Sequence, residues 1–381
     1  MMLPNGWKKV KLGDVATISS GSTPLRSNKA YFENGNMPWV KTMDLTNGKI
    51  TKTDECITEL AAKKCKPYPV GTVLVAMYGG FNQIGRTGLL TFPASINQAL
   101  AALQFEKNVC SEYVLFYLNA NVDRWRSCAA SSRKDPNITS HDVEKFEIVL
   151  PPLEEQKKIA ATLSVWNSAI EKMEKLIEFK ESQKKSLIKK LIEKQEEKTN
   201  KIKVGNVTID KNEWKHERIG NVLKIGHGRD YKGLSLGKVP VFGSGGYMTS
   251  VDKFLHDGET VCIGRKGTID KPFYYKGKIW TVDTLFYTYD FKNVIPKFIY
   301  YVFCSIPWKI KNEAGGVPSL TSKIVENVEF YSPSLPEQQI IVDVLSNADD
   351  ELSLLRQQLE NYKKQKQGLM QKLLTGQWRV K

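Results

Sequence analysis

The sequence predicts a mixed α+β protein in which two α/β domains with mixed sheets are separated by two long helices that form an antiparallel coiled coil. Two observations predict the helices and their pairing. The forty residues Leu153–Ile192 align without a gap with Leu335–Leu374, and twelve positions are identical. Both copies place apolar residues at alternating steps of four and three. Each copy also follows a β-rich region, so the chain has a pseudo-two-fold internal repeat.

The repeated helices have the pattern of a coiled-coil seam. Apolar residues spaced 3.5 residues apart on average pack against a partner helix with the same spacing. Ser334–Glu337 reads as a capping box, and forty helical residues span about 60 Å. We expect the two seams to pair antiparallel. The alternatives are a parallel pair or a separate protein partner for each helix. The apolar seam residues are Ile159, Leu163, Trp166, Ile170, Met173, Ile177, Leu187 and Leu191 in the first copy, and Ile341, Leu345, Leu352, Leu355, Leu359, Leu369 and Leu373 in the second.

Polar residues interrupt both seams at the same place. Lys184 and Lys366 occupy equivalent positions, and Lys180 and Tyr362 lie one step earlier. A buried polar seam residue can fix register and orientation at some cost in stability. Alternatively, the lysines extend along the edge of the seam and keep their charge in water.

Length and charge favour two domains with a polyanionic partner. A chain of 381 residues is too long for one core. We expect a first domain at 1–152, a central spacer helix at 153–203, a second domain at 204–332 and a further spacer helix at 333–381. The net charge of +15 includes +5 on each domain. Such a bias is typical of nucleic-acid binding but says nothing about specificity.

The cysteine pattern favours a reducing compartment. The six cysteines show no CxxC spacing and have no histidine cluster nearby, so we expect neither a disulfide framework nor a zinc site. The first residues lack an apolar stretch for export, and no run approaches 18 apolar residues. These features predict a soluble protein of the cytoplasm.

The repeat extends into the two domains as a common frame. Asn5–Gly21 matches Asn212–Gly228 at seven of seventeen positions, and Pro136–Glu144 matches Pro318–Glu326 just before each helix. Between these segments the similarity nearly vanishes. We therefore expect a constant frame around two divergent inserts.

Each insert contains a short β-rich run that enters a glycine-rich turn. Val70–Ala76 leads into Met77–Arg86, and Gly258–Ile263 leads into Gly264–Thr268. Helices are predicted near Ser111–Asn119 and Lys297–Ser305. Glycine turns let a polypeptide backbone approach a ligand closely.

Motifs for catalysis are missing. Leu150–Leu153 lacks the polar residue of an Asn/Asp-Pro-Pro-aromatic methyltransferase loop, and no GxxxxGK[ST] loop is present. Gly226-His227-Gly228 lacks the third glycine of a dinucleotide turn. Asp283 and Asp290-Phe291-Lys292 resemble a nuclease pattern, but no proline precedes Asp283, and we interpret it as a structural or base-reading carboxylate. We assign no catalytic residue and no metal ligand.

The order of these features resembles the DNA-specificity subunit of type I restriction–modification systems. The resemblance spans nearly the whole chain. It is carried by Pro151–Ile159 and Pro333–Ile341, which open the helices, and by the entry segments Trp7–Val15 and Trp214–Val222. Pro38–Leu45 in the first half fits as well, as do Gly243–Gly246 and Gly264–Thr268 in the second.

The resemblance implies that each domain is a target-recognition domain for one part of a split, asymmetric site in double-stranded DNA. It implies that the helices set the gap and dock two methyltransferase (modification) subunits, with restriction/translocase subunits in the full complex. Those partners would use S-adenosylmethionine to methylate adenine N6, and ATP and Mg²⁺ to cut unmodified DNA. This chain would bind no cofactor, catalyse nothing and contact no membrane.

Candidate DNA contacts lie mainly in the glycine-rich turns. Arg86, Arg265 and Lys266 could donate to guanine, and Asn82 could make the bidentate contact that adenine favours. Solvated surface charges and ordinary hairpins remain the alternative interpretation. The full set is Lys41, Tyr78, Gly79, Asn82, Arg86, Ser132, Arg133, Lys134, Arg229, Tyr231, Lys232, Ser244, Gly245, Arg265, Lys266 and Thr268.

Two other functions remain open at this point. The first is a single-chain nuclease with its own recognition halves, which would cleave DNA alone in Mg²⁺. The second is a structural coiled-coil adaptor, which would show no preference among DNA sequences.

Overall fold

A computed structural model of the chain describes residues 3–80, 82–129, 137–194, 200–312 and 314–380. The chain forms two compact units, Met1–Met173 with Gln358–Lys381, and Glu174–Gln357. Each unit contains one half of each long helix. The domain boundaries expected at residues 152, 203 and 332 stay predictions.

The first unit is built on a mixed five-stranded sheet. The strands of the whole unit are β1 (Lys8–Lys11), β2 (Ala16–Ser20), β3 (Met37–Val40), β4 (Gly48–Ile50), β5 (Cys56–Ile57), β6 (Val73–Ala76), β7 (Thr87–Leu90), β8 (Ser95–Ile96), β9 (Leu100–Phe105) and β10 (Glu147–Leu150). Its helices are α1 (Glu59–Ala62), α2 (Ser111–Ala120), α3 (Val122–Cys128), α4 (Ser140–Lys145) and the first part of α5 (Leu153–Ile192). The sheet order is β2-β9-β6-β7-β4, in which only β4 and β7 are parallel. Strands β6 and β7 are buried along their whole length, as their apolar sequences require.

The second unit is built on a mixed six-stranded sheet. The strands of the whole unit are β11 (Lys201–Val204), β12 (Val207–Asp210), β13 (Lys215–Arg218), β14 (Lys224–His227), β15 (Leu236–Gly243), β16 (Gly246–Val251), β17 (His256–Gly264), β18 (Phe273–Thr281), β19 (Leu285–Tyr289) and β20 (Glu329–Ser332). Its helices are α6 (Ile219–Val222), α7 (Pro296–Ser305), α8 (Ser322–Glu326) and the first part of α9 (Leu335–Leu374). The sheet order is β14-β19-β17-β18-β15-β16, in which β15 and β18 are parallel.

The frame expected from the repeat is present in both units. Antiparallel strands β1 and β10 pair Lys8 with Leu150, and β13 and β20 pair Lys215 with Ser332. Each ladder joins the first strand of the repeated frame to the strand that precedes a long helix. The inserts between the ladder strands then form the two different sheets.

A repeated glutamine ties each long helix to the helix of its unit. Gln156 Oε1 accepts the Cys110 N–H at 2.8 Å, just before α2, and its Nε2 donates to the Pro151 carbonyl at 2.8 Å. Gln338 does the same in the second unit, accepting from the Ile295 N–H at 2.8 Å before α7. Both side chains are buried. The identity at this repeat position therefore reflects a buried polar contact that only a glutamine of this reach makes.

The ends of the long helices are anchored differently in the two units. In the first unit the buried Trp7 indole N–H donates to Glu155 at 3.1 Å, and Arg379 pairs with the same carboxylate at 2.6 Å. In the second unit the buried Lys211 ammonium donates to the Lys190 carbonyl at 2.7 Å and to the Glu193 carbonyl. Lys211 thus satisfies carbonyls at the end of α5 that have no partner within the helix.

The long helices run antiparallel, as the fold class predicted. In the first unit the Trp166 and Tyr362 rings lie 5.9 Å apart. In the second unit Lys180 pairs with Glu351 at 2.7 Å and Lys184 pairs with Asp349, so a later residue of α5 meets an earlier residue of α9. Both helices have the bounds of the forty-residue repeat, and Glu337 accepts from the Ser334 N–H as the capping box requires. The spacer helix expected at 153–203 is shorter than predicted, because α5 ends at Ile192 and Lys201–Val204 forms a strand. Every residue of the predicted seam is buried or half-buried.

Candidate nucleic-acid interface

In the second unit, three of the predicted contact segments converge on the link between β18 and β19. The Arg265 N–H donates to the Thr284 carbonyl at 2.8 Å, and the Ser244 N–H approaches Thr284 Oγ1 at 3.4 Å. The Arg229 N–H donates to the Thr281 carbonyl at 2.8 Å. Segments far apart in the sequence therefore form one surface, which we call the second-unit turn cluster: residues 228–232, 243–248, 264–268 and 281–284.

The turn after β17 is shaped by two glycines. A Cβ on Gly264 would lie 2.0 Å from the Thr268 carbonyl oxygen, so only glycine allows this close turn. Gly267 has a φ of +83°, in the left-handed region that favours glycine. Lys266 is exposed on this turn, whereas Thr268 is half-buried. Arg265 is half-buried, and its Nη1 donates to the Asp283 carbonyl at 3.3 Å, which orients a guanidinium that keeps further donors.

The segment after β14 presents two cations on a fixed backbone. A Cβ on Gly228 would lie 1.9 Å from the Val282 carbonyl oxygen, so this segment lies directly against the β18–β19 link. The Trp280 indole N–H donates to the Arg229 carbonyl at 2.9 Å. Arg229 and Lys232 are exposed, whereas Tyr231 packs against a small apolar cluster under the sheet.

The hairpin between β15 and β16 adds two residues that the sequence interpretation missed. Gly245, which has open space around its Cβ position, is exposed at the tip next to Ser244. Tyr247 and Met248 follow directly and are 63% and 50% exposed. Because they lie exposed beside a basic turn, we add both residues to the candidate interface. Their position immediately after Gly243–Gly246 was the signal that could have identified them.

In the first unit the glycine-rich turn between β6 and β7 is closed by backbone hydrogen bonds. The Gly85 N–H donates to the Ala76 carbonyl at 2.9 Å. A Cβ on Gly85 would lie 2.3 Å from the Trp125 ring, and its φ is +77°, so this position requires glycine. Tyr78, Gly79 and Asn82 are exposed on the turn, and Arg86 is half-buried.

Lys41 lies beside this turn but is engaged by a carboxylate. Its ammonium pairs with Glu55 at 2.9 Å, and Arg26 binds the same carboxylate. The hydrogen bond from Arg26, followed by that from Lys41, lowers the pKa of Glu55 to about 2. Gln83 of the turn reaches the Met43 sulfur at 3.8 Å, so Lys41 and the glycine-rich turn belong to one surface. Arg26 and Met43 were not identified from the sequence.

Three of the predicted contacts, Ser132, Arg133 and Lys134, lie outside the described residues. The structure brings the others together in two groups, one in each unit. Their contact with DNA remains a prediction.

The described residues contain no group of three or more His, Cys, Asp and Glu side chains that could hold a metal ion. Asp283 and Asp290 flank opposite ends of β19, a strand about 16 Å long. Asp290 pairs instead with Lys224 at 2.8 Å. These two carboxylates therefore cannot share a cation. Within the described ranges, no helix is long and apolar enough to cross a membrane.

Two unlike mixed sheets on one repeated frame, each with a glycine-rich turn at its edge, define a two-domain protein with internal repeats. The family model described as type I restriction modification DNA specificity domain matches residues 4–181 and 211–363. The MjaIX type I restriction enzyme specificity subunit of Methanocaldococcus jannaschii is 24% identical, over 99% of this chain and 95% of the relative. The EcoR124I/EcoR124II specificity subunit of Escherichia coli is 24% identical over 46% of this chain and 45% of the relative.

The fold is also similar to a solved structure. The S subunit of a type I restriction–modification system from M. genitalium has a TM-score of 0.64 at 18% identity, over 98% of both chains. The chain belongs to the family of type I restriction–modification DNA-specificity proteins. It is a specificity subunit, the non-catalytic component that recognises the DNA sequence.

Proposed function

We propose that each unit of this specificity subunit reads one part of a bipartite, asymmetric DNA site, while α5 and α9 set the gap and dock two methyltransferase subunits. The observation that carries the proposal is the repeated frame. Gln156 and Gln338 make the same buried contacts, yet the sheets between the frame strands differ in strand number and order. A repeated support with two unlike inserts suits one duplex with two unlike half-sites.

The proposed base contacts come from the turn of each unit. Arg265 and Lys266 would donate to guanine O6 and N7 in one half-site, and Asn82 and Arg86 would read bases in the other. Arg229 and Lys232 would neutralise phosphates and fix the register of the second unit on DNA. Because Asp283 holds one guanidinium nitrogen of Arg265, that side chain is partly ordered before it meets a base.

The chemistry would belong to the partner subunits. Methyltransferase subunits would transfer a methyl group from S-adenosylmethionine to adenine N6, and restriction/translocase subunits would use ATP and Mg²⁺. This chain would bind none of these cofactors. Since the substrate is cellular DNA, we place the complex in the cytoplasm.

Mapping of methylated adenines tests the proposal directly. The gene is expressed with its methyltransferase partner in a host without adenine methylation, and the genome is sequenced by a method that detects N6-methyladenine. We expect one bipartite motif with a fixed gap, and no motif without this gene. Methylation of a single continuous motif would contradict the proposal.

Two experiments separate the competing functions. Purified chain with plasmid and Mg²⁺ should leave the DNA intact; cleavage that disappears in Asp283→Ala would instead support a single-chain nuclease. Selection from random duplexes in the presence of the methyltransferase should recover one motif. Recovery of unselected sequence would support a structural adaptor.

A further inference from the structure

Three helices of the second unit meet at one carboxylate. Asp349 of α9 accepts from the Lys184 ammonium of α5 and, at 2.7 Å, from the Tyr301 hydroxyl of α7. The Lys184 nitrogen lies 5.9 Å from the centre of the Tyr301 ring. The contact therefore joins the helix of the recognition sheet to both long helices. We call these three residues the α5–α7–α9 cluster.

Two members of the cluster are largely withdrawn from water, and the third, Asp349, has a side chain that is 31% exposed. Tyr301 is fully buried, and the Lys184 side chain is 16% exposed. Burial raises the pKa of Tyr301 above its ordinary value, so the hydroxyl stays protonated and donates. A hydrogen-bonded ion pair in such surroundings requires a specific geometry, because separating its members leaves a buried charge without a partner.

Pairing of the long helices does not by itself require this cluster. The repeat places Lys366 at the position equivalent to Lys184, where the nearby carboxylate is Glu171. The position equivalent to Asp349 is Asn167. In the first unit the Tyr113 hydroxyl of α2 donates to the Val149 carbonyl, at 2.7 Å, rather than to a long helix. Counted from Cys110 and Ile295, which both donate to the repeated glutamine, the position equivalent to Tyr301 is Phe116, which has no hydroxyl, so the first unit does not repeat this cluster.

The cluster is connected to the candidate base contacts through one helix and one strand. Helix α7 carries Tyr301 and packs against β17. Strand β17 ends at Gly264, immediately before Arg265. A change in the angle at which α7 lies on the long helices therefore moves the β17 turn as well.

We propose that Lys184, Asp349 and Tyr301 are positioning residues that fix how the second recognition domain is held on the helix pair, and thereby restrict the gap accepted between the two half-sites. The proposal rests on the proposed function. Apolar residues such as Phe298 and Val302 also pack α7 into the core, so we expect the domain to fold when Tyr301→Phe or Asp349→Asn removes the polar contact. The cluster restricts the orientation of α7 on the long helices, which apolar packing restricts only weakly because it is not directional. One extra base pair displaces a half-site by about 3.4 Å along the duplex and turns it by about 35° about the axis, so the domain must reorient on the helix pair to admit it.

The test measures the gap preference of the complete methyltransferase complex. Duplexes carry both half-sites with the native gap or with one base pair more or fewer, and methylation is counted by sequencing. The variants are Tyr301→Phe, which removes only a hydroxyl, and Asp349→Asn, which removes only the charge. We expect the preference for the native gap to fall about fivefold, which is about 1 kcal/mol, with the bases read in each half-site unchanged.

Two matched variants control for general loosening. Lys180→Met breaks the ion pair with Glu351 between the same two helices without touching α7, and Ser305→Ala removes a hydroxyl of α7 that donates to the Val302 carbonyl within the helix. Both should keep the native gap preference. Asp349→Glu, which restores the charge, should recover part of it.

A cluster that serves stability alone would give another result. Tyr301→Phe and Asp349→Asn would then lower the melting temperature but leave the gap preference within about twofold, and the positioning role would be rejected. Loss of methylation at every gap in both variants, with the fold intact by circular dichroism, would also reject it. Failure of the unaltered complex to methylate any bipartite site would instead reject the proposed function.

Discussion

At the scale of single residues, the candidate interface depends on side chains whose surroundings are already fixed. Arg265 is oriented by the Asp283 carbonyl, and Lys41 by Glu55. Ordering a long side chain before binding reduces the entropy lost in the complex. The two cations differ, however, because Arg265 is bound to a neutral carbonyl and Lys41 to a carboxylate. We therefore predict different effects on DNA binding when each of these contacts is removed.

Arg265→Ala should weaken binding of the complex to its own site by about 1–3 kcal/mol and relax one base position in a single half-site. A base-reading arginine loses its bidentate contact with one base, whereas a phosphate contact is lost equally on all sequences. Competition binding with duplexes mutated at each position measures both effects. Lys271→Ala, an exposed lysine of the same unit, serves as the control. An equal loss on every sequence would make Arg265 a phosphate contact.

Glu55→Gln should increase binding to non-specific DNA. With a pKa of about 2 the carboxylate is ionised at any working pH, and it neutralises part of the charge of Arg26 and Lys41. Removing it should steepen the slope of log affinity against log salt by about one. Titrations between low and moderate salt measure this slope. Glu33→Gln, which breaks an exposed ion pair with Lys29, should change it less. An unchanged slope in Glu55→Gln would place Lys41 away from DNA.

At the scale of secondary-structure elements, the ends of the long helices carry the most demanding polar contacts. Gln156 and Gln338 satisfy backbone N–H groups before α2 and α7, and Lys211 satisfies carbonyls at the end of α5. Burying such groups without partners would cost more than the hydrogen bonds gain in net stability. The two kinds of contact make predictions about stability.

Gln156→Ala and Gln338→Ala should each lower the free energy of unfolding by about 1–3 kcal/mol, because a partly buried N–H loses its partner and the buried glutamine side chain leaves a space. Denaturant unfolding of the complete chain measures the loss. Gln183 and Gln365 are also identical in the repeat but are exposed, so their alanine variants should stay within about 0.5 kcal/mol of the parent. Similar losses in all four variants would show that the loss in free energy of unfolding does not depend on burial of the glutamine.

Lys211 should make the stability of the second unit depend on pH. Burial lowers the pKa of Lys211 to about 8, against about 10.4 in an unfolded chain. Between these values the unfolded chain binds more protons, so the contribution of Lys211 to stability rises with pH. Relative to Lys211→Met, the parent should gain stability between pH 8 and 10 in urea unfolding series. Parallel pH profiles for the two chains would contradict this assignment.

At the scale of the whole molecule, the repeat determines what can change independently. The frame and the long helices are shared by both halves, whereas the inserts differ in sheet order. Alterations of the helices should therefore affect the gap, and alterations of the inserts should affect the bases read. A length change in the helices tests this separation.

Insertion of one heptad into both Ile159–Leu191 and Ile341–Leu373 should lengthen the gap and leave both half-sites unchanged. Seven helical residues add about 10.5 Å, or about three base pairs of DNA. Methylation mapping with the partner subunits measures the new gap. Insertion into only one helix breaks the match of the antiparallel seams and should abolish methylation. Altered half-sites in the double insertion would show that the helices do more than space the domains.

The sequence alone determined the two long helices and indicated the family, and it favoured an antiparallel pairing without excluding the alternatives. A heptad pattern is a local signal, and forty residues of it fix the bounds of α5 and α9 at the residue. The glycine-rich turns were also predicted, because left-handed backbone and close approach restrict a position to glycine, as at Gly85 and Gly267.

Only the tertiary structure decided which residues meet across long sequence separations. The pairing of Lys41 with Glu55, the convergence of Arg229, Ser244 and Arg265 on the β18–β19 link, and the contact of Asp349 with Tyr301 follow from sheet order and helix packing. Nothing in the local pattern encodes these contacts, since one seam lysine meets Asp349 and the equivalent lysine lies near Glu171. Periodicity fixes which face of an element is buried, but the partner on that face depends on the path of the entire chain.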